Sequence, residues 1–343
     1  MPAYAKWLLK VAFSFAILYV IVAKSNLREI LTTLQLIAPV SVLIAAMLAV
    51  LQTGCAAARL SVIVELYKRR LPLGDSFRLT LESAFFSQTF VSFLGGDALR
   101  IWRIRRCGMP LRQAASAVVL DRLVGIVVNH AFLLVALPWL LIEVSDHAIR
   151  IVLIVLAATG VGGFACILLL GAFYGPPSRL ASRLEGSRIG ALISELAAVG
   201  RHFLPPGAQL LTAASISFII ALINSLIFFV LLLGWGVAPL AAVGCALLVP
   251  AVLEIAMLPI SIAGWGVREG VTMIAFSGFG VSSNVAFGSS IVFASMALTL
   301  GLIGGLLWLV DRREFATLGA IDVQVASNAP MAASERAELP RNR

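Results

Sequence analysis

Long apolar runs separated by short polar connections make up most of the chain. A transmembrane helix needs about 20 mainly apolar residues, and several runs reach or approach that length. They cover residues 7–23, 37–57, 113–141, 149–174, 208–233 and 285–310. Because backbone groups in lipid must be hydrogen-bonded internally, these repeated runs predict an all-α, polytopic membrane protein with about six full spans.

Two further apolar segments are defective as spans. Residues 79–94 would form a helix of only about 24 Å against about 30 Å of hydrocarbon, and they include Glu82. Residues 239–260 contain Pro250, which removes a helical hydrogen bond, followed by Glu254. We interpret both as re-entrant or broken helical segments, and full crossing by both is the alternative.

Composition and charge support a membrane location. Of 343 residues, 60% are hydrophobic and only 13% charged, too few charges to cover a water-exposed globule. The net charge of +9 comes from basic residues in the connections between runs, which favours orientation in the membrane over nucleic-acid binding. The positive-inside rule then places both termini in the cytoplasm of a bacterium, with the chain in its inner membrane.

Familiar catalytic and metal-binding patterns are missing from the sequence. No phosphate-binding loop of the G-x-x-x-x-G-K-[ST] type, no H-E-x-x-H and no G-x-S-x-G occurs. The four cysteines and three histidines have no spacing typical of a metal site. We therefore expect no cofactor, no metal and no catalytic residue.

Two glycine motifs resemble each other. VSFLGGDALR at 91–100 and ISIAGWGVR at 260–268 each contain Ser-x-x-Gly, a second glycine and an arginine. Each follows directly after a defective apolar segment, and paired interrupted segments are typical of a transporter's binding site. In the six-span arrangement the two segments enter from opposite faces, which predicts an inverted repeat.

Ionisable residues concentrate at the same places. A charge at bilayer depth costs at least about 2.5 to 3.5 kcal/mol, so it needs a partner or a wet site. Guanidinium groups bind phosphate through a planar fork, which suits an anionic lipid headgroup. Pairing among the charges themselves, for example between Asp97 and Arg100, is the structural alternative. The predicted substrate-binding residues are Glu82, Gly95, Gly96, Asp97, Arg100, Asp121, Arg122, Glu254, Gly264, Gly266, Arg268 and Glu269.

Around these residues the sequence resembles the flippase-like transmembrane family typified by the membrane domain of lysylphosphatidylglycerol synthase. The stretches that carry the resemblance are 93–125 and 258–270, and with the spacing of spans it extends over about 7–312. The resemblance implies a role among lipid translocators or proteins of hopanoid and glycolipid pathways. Asp121 departs from the glutamate that the family often has. We expect a membrane domain at 1–314 and a disordered cytoplasmic tail at 315–343, without the synthase's aminoacyl-transfer domain.

The leading functional hypothesis is a lipid translocase for an amphiphile with an anionic or zwitterionic phosphate headgroup. One alternative is a membrane transferase or hydrolase that uses Glu82, Asp97, Glu254 or Glu269 as acid or base. Another is a non-catalytic subunit of a lipid-synthesis complex, with an amphipathic surface helix at 178–203. A small-residue stripe on the last span either forms a homodimer or packs within the chain: Ala297, Gly301 and Gly305.

Overall fold

The computed structural model describes residues 32–89, 94–173, 188–258, 261 and 263–310. Within them the chain forms helices of 11 residues or more, connected by short loops. They are α1 (Pro39–Leu66), α2 (Leu73–Thr89), α3 (Leu94–Arg106), α4 (Leu111–Glu143), α5 (His147–Phe173), α6 (Arg188–Arg201), α7 (Ala208–Gly234), α8 (Pro239–Ala256), α9 (Val267–Ser277) and α10 (Ser283–Val310). The predicted span at 7–23 and the predicted tail at 315–343 lie outside the described residues.

Six helices in the described part of the chain are long and apolar enough to cross a membrane: α1, α4, α5, α7, α8 and α10. The all-α, polytopic membrane fold is therefore confirmed. Five of the six correspond to predicted full spans, whereas α8 comes from the segment that the sequence marked as broken. These helices expose many leucine, isoleucine and valine side chains, as expected of surfaces that face lipid.

The expected break at Pro250 is wrong. α8 continues through Pro250 and ends at Ala256. Pro250 is buried among neighbouring helices, and packing of this kind lets a membrane helix tolerate one missing backbone hydrogen bond. The chain turns instead just before α9, where Gly264 and Gly266 have φ of +80° and +83°. Only glycine adopts such backbone angles at little cost, so the glycines of the second motif determine where the chain turns.

Each of the two segments forms a helix that packs against the shorter helix that follows it. We call α2–α3 the first hairpin and α8–α9 the second hairpin; in each, the two helices contact each other. α3 has 13 residues and α9 has 11, about 20 Å and 16 Å of helix, so neither crosses about 30 Å of hydrocarbon alone. In the first hairpin, a Cβ on Gly96 would overlap Ser87 Oγ and the Ser83 carbonyl. This glycine thus permits the close approach of α3 to α2.

Helices from both halves of the chain interdigitate. α1 packs along α7, and α2 packs along α10. The small-residue stripe of α10 lies in the second contact, because a Cβ on Gly301 would come within 2.9 Å of Gln88 Nε2 and one on Gly305 within 2.7 Å of the Phe85 ring. Gln88 also donates a hydrogen bond of 2.8 Å to the Ala297 carbonyl. Packing within the chain, the alternative that the sequence left open, accounts for this stripe.

Of the amphipathic segment predicted at 178–203, residues 178–187 lie outside the described part of the chain, and α6 covers Arg188–Arg201. α6 packs on α5 through Gly200, whose Cβ would overlap the backbone of α5. Just beyond it, the rings of His202 and Tyr67 lie 5.4 Å apart. Burial is the main cause, and the charge of Glu195 the second, that raises the pKa of Tyr67 to about 12. Burial, then Arg201, lowers the pKa of His202. Both side chains are therefore neutral at pH 7.

Candidate functional site

A cavity of about 370 Å³ lies between the two hairpins. Its wall contains residues from α1, α2, α3, α4, α7, α8 and α10, together with the turn before α9 and the first residues of α9. Four arginines line it, and we call it the arginine cavity: Arg59, Arg100, Arg122 and Arg268. The glycine motifs thus bring Arg100 and Arg268 to one shared space, although they are far apart in sequence.

Asp121 of α4 holds two of these arginines in place. Its carboxylate accepts hydrogen bonds of 2.8 and 3.1 Å from Arg59 and of 3.3 Å from Arg100. The Asp121 side chain is only 1% exposed, so it lies behind the guanidinium groups and outside the cavity wall. Hydroxyl groups complete the set, because Ser217 accepts from Arg59 at 3.1 Å and Ser83 accepts from Arg100 at 3.0 Å.

Asp97 and Arg122 form the second pair between α3 and α4. Arg122 Nη2 donates to Asp97 Oδ1 at 2.9 Å, and its Nε lies 3.3 Å from both carboxylate oxygens. Asp97 therefore pairs with α4 instead of with Arg100 on its own helix. Since Asp121 and Arg122 are adjacent, they leave α4 in different directions and bind different residues of α3.

Arg268 of α9 is held by its neighbour in sequence. Glu269 Oε1 lies 2.7 Å from Arg268 Nη2, and Ser290 of α10 contacts both side chains at 3.1 Å. Glu269 also accepts a hydrogen bond of 2.6 Å from the Gly266 N–H, which caps the start of α9. The guanidinium carbon lies 5.5 Å from the centre of the Trp265 ring and 5.8 Å from that of Phe293. Ion pair and aromatic contacts together fix the group at the cavity wall.

The arrangement leaves a surplus of positive charge at the cavity. Among the described residues, four arginines line the wall and three carboxylates bind them: Asp97, Asp121 and Glu269. Neutral polar groups on the wall include Gln52, Thr53 and Asn224, and the Asn224 Oδ1 atom is buried without a hydrogen bond in the described structure. Guanidinium groups with carboxylates behind them are chemically suited to an anion such as phosphate.

The chain matches a known family of membrane domains over most of its length. Residues 7–313 match the family described as "Lysylphosphatidylglycerol synthase TM region". The chain belongs to this family. A search of curated proteins found no match to it. As a member of the lysylphosphatidylglycerol synthase TM family, it is a multi-pass membrane protein linked to lipid handling.

Eleven of the twelve predicted residues fall into three groups in this family member, and Arg122 belongs to two of them. Arg100, Arg122 and Arg268 line the arginine cavity, whereas Asp121 and Glu269 lie behind it and position them. A second group lines a neighbouring cavity of about 520 Å³: Asp97, Arg122 and Glu254. Glycines form the third group and shape the backbone: Gly95 and Gly96 begin α3, and Gly264 and Gly266 form the turn before α9.

Glu82 lies apart from both cavities. Its buried carboxylate is bound by Arg78 at 2.9 Å and by Arg103 at 3.2 Å, and it lines neither cavity. Arg78 also donates to the Leu307 carbonyl at 3.2 Å. This network fastens α2 to α3 and α10, so Glu82 stabilises the first hairpin.

Arg59 is the site residue that the sequence analysis missed. The predicted span ends at residue 57 and so leaves Arg59 outside it, but α1 continues to Leu66. The signal lay in Leu60, Ile63 and Val64, which continue the helical spacing of apolar residues past Arg59 and are all buried. An arginine between such positions lies inside a helix, where it needs a partner.

Proposed function

We propose that this protein translocates an amphiphile with an anionic or zwitterionic phosphate headgroup across the bacterial inner membrane, with both of its termini in the cytoplasm. The headgroup binds in the arginine cavity while the hydrocarbon part stays in contact with lipid. The observation that carries the proposal is that four arginines from four helices line one cavity, and that three carboxylates of the described residues pair with them.

The chemistry of the wall supports a phosphate ligand. Guanidinium groups stay charged at every relevant pH and donate hydrogen bonds in pairs, which matches phosphate oxygens. Asp121 and Glu269 hold three of these groups from behind, so little side-chain order has to be created on binding. The surplus positive charge compensates an anion that would otherwise be costly at bilayer depth.

The position of the cavity supports transport. It lies between two hairpins from different halves of the chain, and substrate sites of transporters commonly lie between the two halves of the fold. Movement of one half against the other would expose the headgroup to each side of the membrane in turn. Family membership, which links the chain to lipid handling, agrees with this use.

A reconstitution experiment tests the proposal. Purified protein in vesicles should accelerate the exchange of a labelled phosphatidylglycerol between leaflets, and Arg268→Ala should slow it at least tenfold. Arg268→Lys keeps the positive charge but loses the paired hydrogen-bond donors of the guanidinium group, so its exchange rate should lie between those of the wild type and Arg268→Ala. This variant also serves as a control for misfolding. Arg105→Ala removes an exposed arginine of α3 and should leave the rate unchanged. Exchange as slow as in protein-free vesicles would refute translocation, and a chemically altered lipid would favour the transferase alternative.

A further inference from the structure

The apolar cavity of about 520 Å³ adjoins the arginine cavity, and Arg122 and Met257 line both. Its wall comes from α3, α4, α5 and α8 and is mostly hydrocarbon. Two ionisable side chains face each other there without any part in the arginine network: His130 of α4 and Glu254 of α8. Their contact joins α4, which follows the first hairpin, to α8 of the second hairpin.

The contact between these two side chains is built into the packing. His130 Nδ1 lies 3.0 Å from Glu254 Oε1 and 2.9 Å from the Ile126 carbonyl. Gly160 of α5 makes room for the ring, because a Cβ at this position would overlap it. The imidazole is thus held between its own helix, α5 and α8.

Glu254 is short of hydrogen bonds. Its side chain is 8% exposed, and apart from the close contact with His130 neither carboxylate oxygen has a partner in the described structure. An ionised carboxylate in such a place is stabilised only by a nearby proton or positive charge. Because His130 is next to it, one additional proton neutralises the pair, either as a protonated carboxyl beside a neutral ring or as an ion pair. Loss of that proton leaves a net charge of −1.

We propose, on the basis of the headgroup site proposed above, that His130 and Glu254 form a proton-binding site that couples proton uptake to anion binding in the arginine cavity. Arg122 and His130 are eight residues apart on α4, about 12 Å along its axis. A unit negative charge at this distance weakens anion binding roughly tenfold at an effective permittivity of about 20. The protonated pair removes this repulsion. By linkage, an anion in the arginine cavity raises the proton affinity of the pair by the same factor.

Other charged groups around the pair are already engaged. Asp97 pairs with Arg122, Asp121 with Arg59 and Arg100, and Glu269 with Arg268. α7, which also packs on α4 and α8, has no ionisable side chain, and α5 contacts the ring through Gly160. The remaining α5 residues on the cavity wall are uncharged: Leu156, Thr159, Gly163, Phe164 and Ile167. Of the described groups here, the His130–Glu254 pair is therefore the one placed to change charge near neutral pH.

Binding of short-chain phosphatidylglycerol to the purified full-length protein tests this proposal. The probe has no amine, so it cannot bind Glu254 as a cation. Between about pH 5.5 and 8.5, where histidine side chains change charge, wild-type affinity should fall about tenfold as the pH rises. In weak buffer near the midpoint of this fall, binding should take up about half a proton, the most that a tenfold coupling allows.

Variants separate the pair from other titrating groups. Glu254→Gln cannot become negative, so its affinity should stay high across the range and its proton uptake should vanish. His130→Gln removes one of the two groups that can hold the proton, so the proton affinity of the site should drop and the fall in affinity should move to lower pH. His147→Gln and Glu143→Gln change exposed residues and should behave as wild type.

The outcomes distinguish this proposal from the proposed function. Wild-type affinity that is independent of pH, or a Glu254→Gln variant with the wild-type pH dependence, would overturn the proton site and leave the headgroup site standing. Absence of phosphatidylglycerol binding at every pH would contradict the headgroup site and the proton site together. A retained response to pH in His130→Gln, shifted as described, would show that a folded protein still senses the carboxylate.

Discussion

The two hairpins hold their arginines at the cavity wall in different ways. Each presents an arginine to the cavity from a short helix that follows a glycine motif. Arg100 of the first hairpin depends on Asp121, which lies on α4 and also binds Arg59 of α1. Arg268 of the second hairpin depends on Glu269, its own neighbour in the chain, with Ser290 of α10 as an additional contact. The first arrangement connects three helices, whereas the second is almost contained in one.

This difference indicates how each arginine responds to movement. A shift of α3 against α4 must disturb both interhelical pairs, Arg100–Asp121 and Asp97–Arg122. A shift of α9 carries Arg268 and Glu269 together and leaves their ion pair intact. The first hairpin is therefore fixed to its surroundings, and the second is the one whose arginine can move as a preassembled unit.

Asp121→Asn should cause the largest loss of stability. One neutral amide would then face Arg59 and Arg100, and removal of one partner from a buried ion pair costs about 3 to 5 kcal/mol. The free energy of unfolding in detergent, measured by denaturant titration, checks this. Asp75→Asn changes an exposed carboxylate of α2 and should have almost no effect. A loss under about 1 kcal/mol for Asp121→Asn would contradict the shared role of this carboxylate.

Glu269→Gln should cost less, about 2 to 3 kcal/mol, because only one arginine loses its charged partner. The amide oxygen can still accept from the Gly266 N–H, and Ser290 still contacts Arg268. Denaturant titration under the same conditions gives the comparison. If Glu269→Gln were more destabilising than Asp121→Asn, the second hairpin would be the more strongly connected one, and the contrast drawn above would be reversed.

Alanine substitutions at two glycines distinguish the effect of a steric clash between helices from the effect of an unfavourable backbone conformation. Gly96→Ala should cost about 2 to 3 kcal/mol because the new Cβ would overlap Ser87 and the Ser83 carbonyl. Gly264→Ala should cost about 1 to 2 kcal/mol, mainly because φ is +80° there and the Ala256 carbonyl is 3.0 Å from the new Cβ. Adding Ser87→Gly to Gly96→Ala should restore only part of the loss, since the clash with the backbone remains. Full restoration would show that the side chain alone sets the spacing.

Much of the fold could be predicted from hydropathy because lipid imposes length and continuity on each span. The short length of the first defective segment was also recognisable, since a short apolar run and an acidic residue are local features. The residue at which the second segment ends could not be predicted in this way. Pro250 is a helix breaker by local chemistry, but packing around α8 accommodates it, and the positive φ values at Gly264 and Gly266 decide the turn.

The site was predictable in its residue types and less so in its pairing. Glycine motifs led to Arg100 and Arg268 because charged residues in lipid are costly and therefore conspicuous. Which carboxylate binds which arginine depends on helix packing, so Asp97 could not be matched with Arg122 from spacing alone. Glu82 met the same criterion of cost, but the structure pairs it with Arg78 and Arg103 outside the cavity.

Ser290→Ala should have the smallest effect and measures how self-contained the second hairpin is. The hydroxyl donates to Glu269 Oε1 and accepts from Arg268 Nε, both at 3.1 Å, so its loss should cost about 1 kcal/mol. In a double-mutant cycle with Glu269→Gln, the coupling should be below about 1 kcal/mol, because the Arg268–Glu269 pair persists without the serine. A coupling of about 2 kcal/mol or more would mean that α10 holds Arg268 as firmly as α4 holds Arg100. The second hairpin would then be unable to move its arginine as a unit, and alternate exposure of the headgroup would need α9 and α10 to move together.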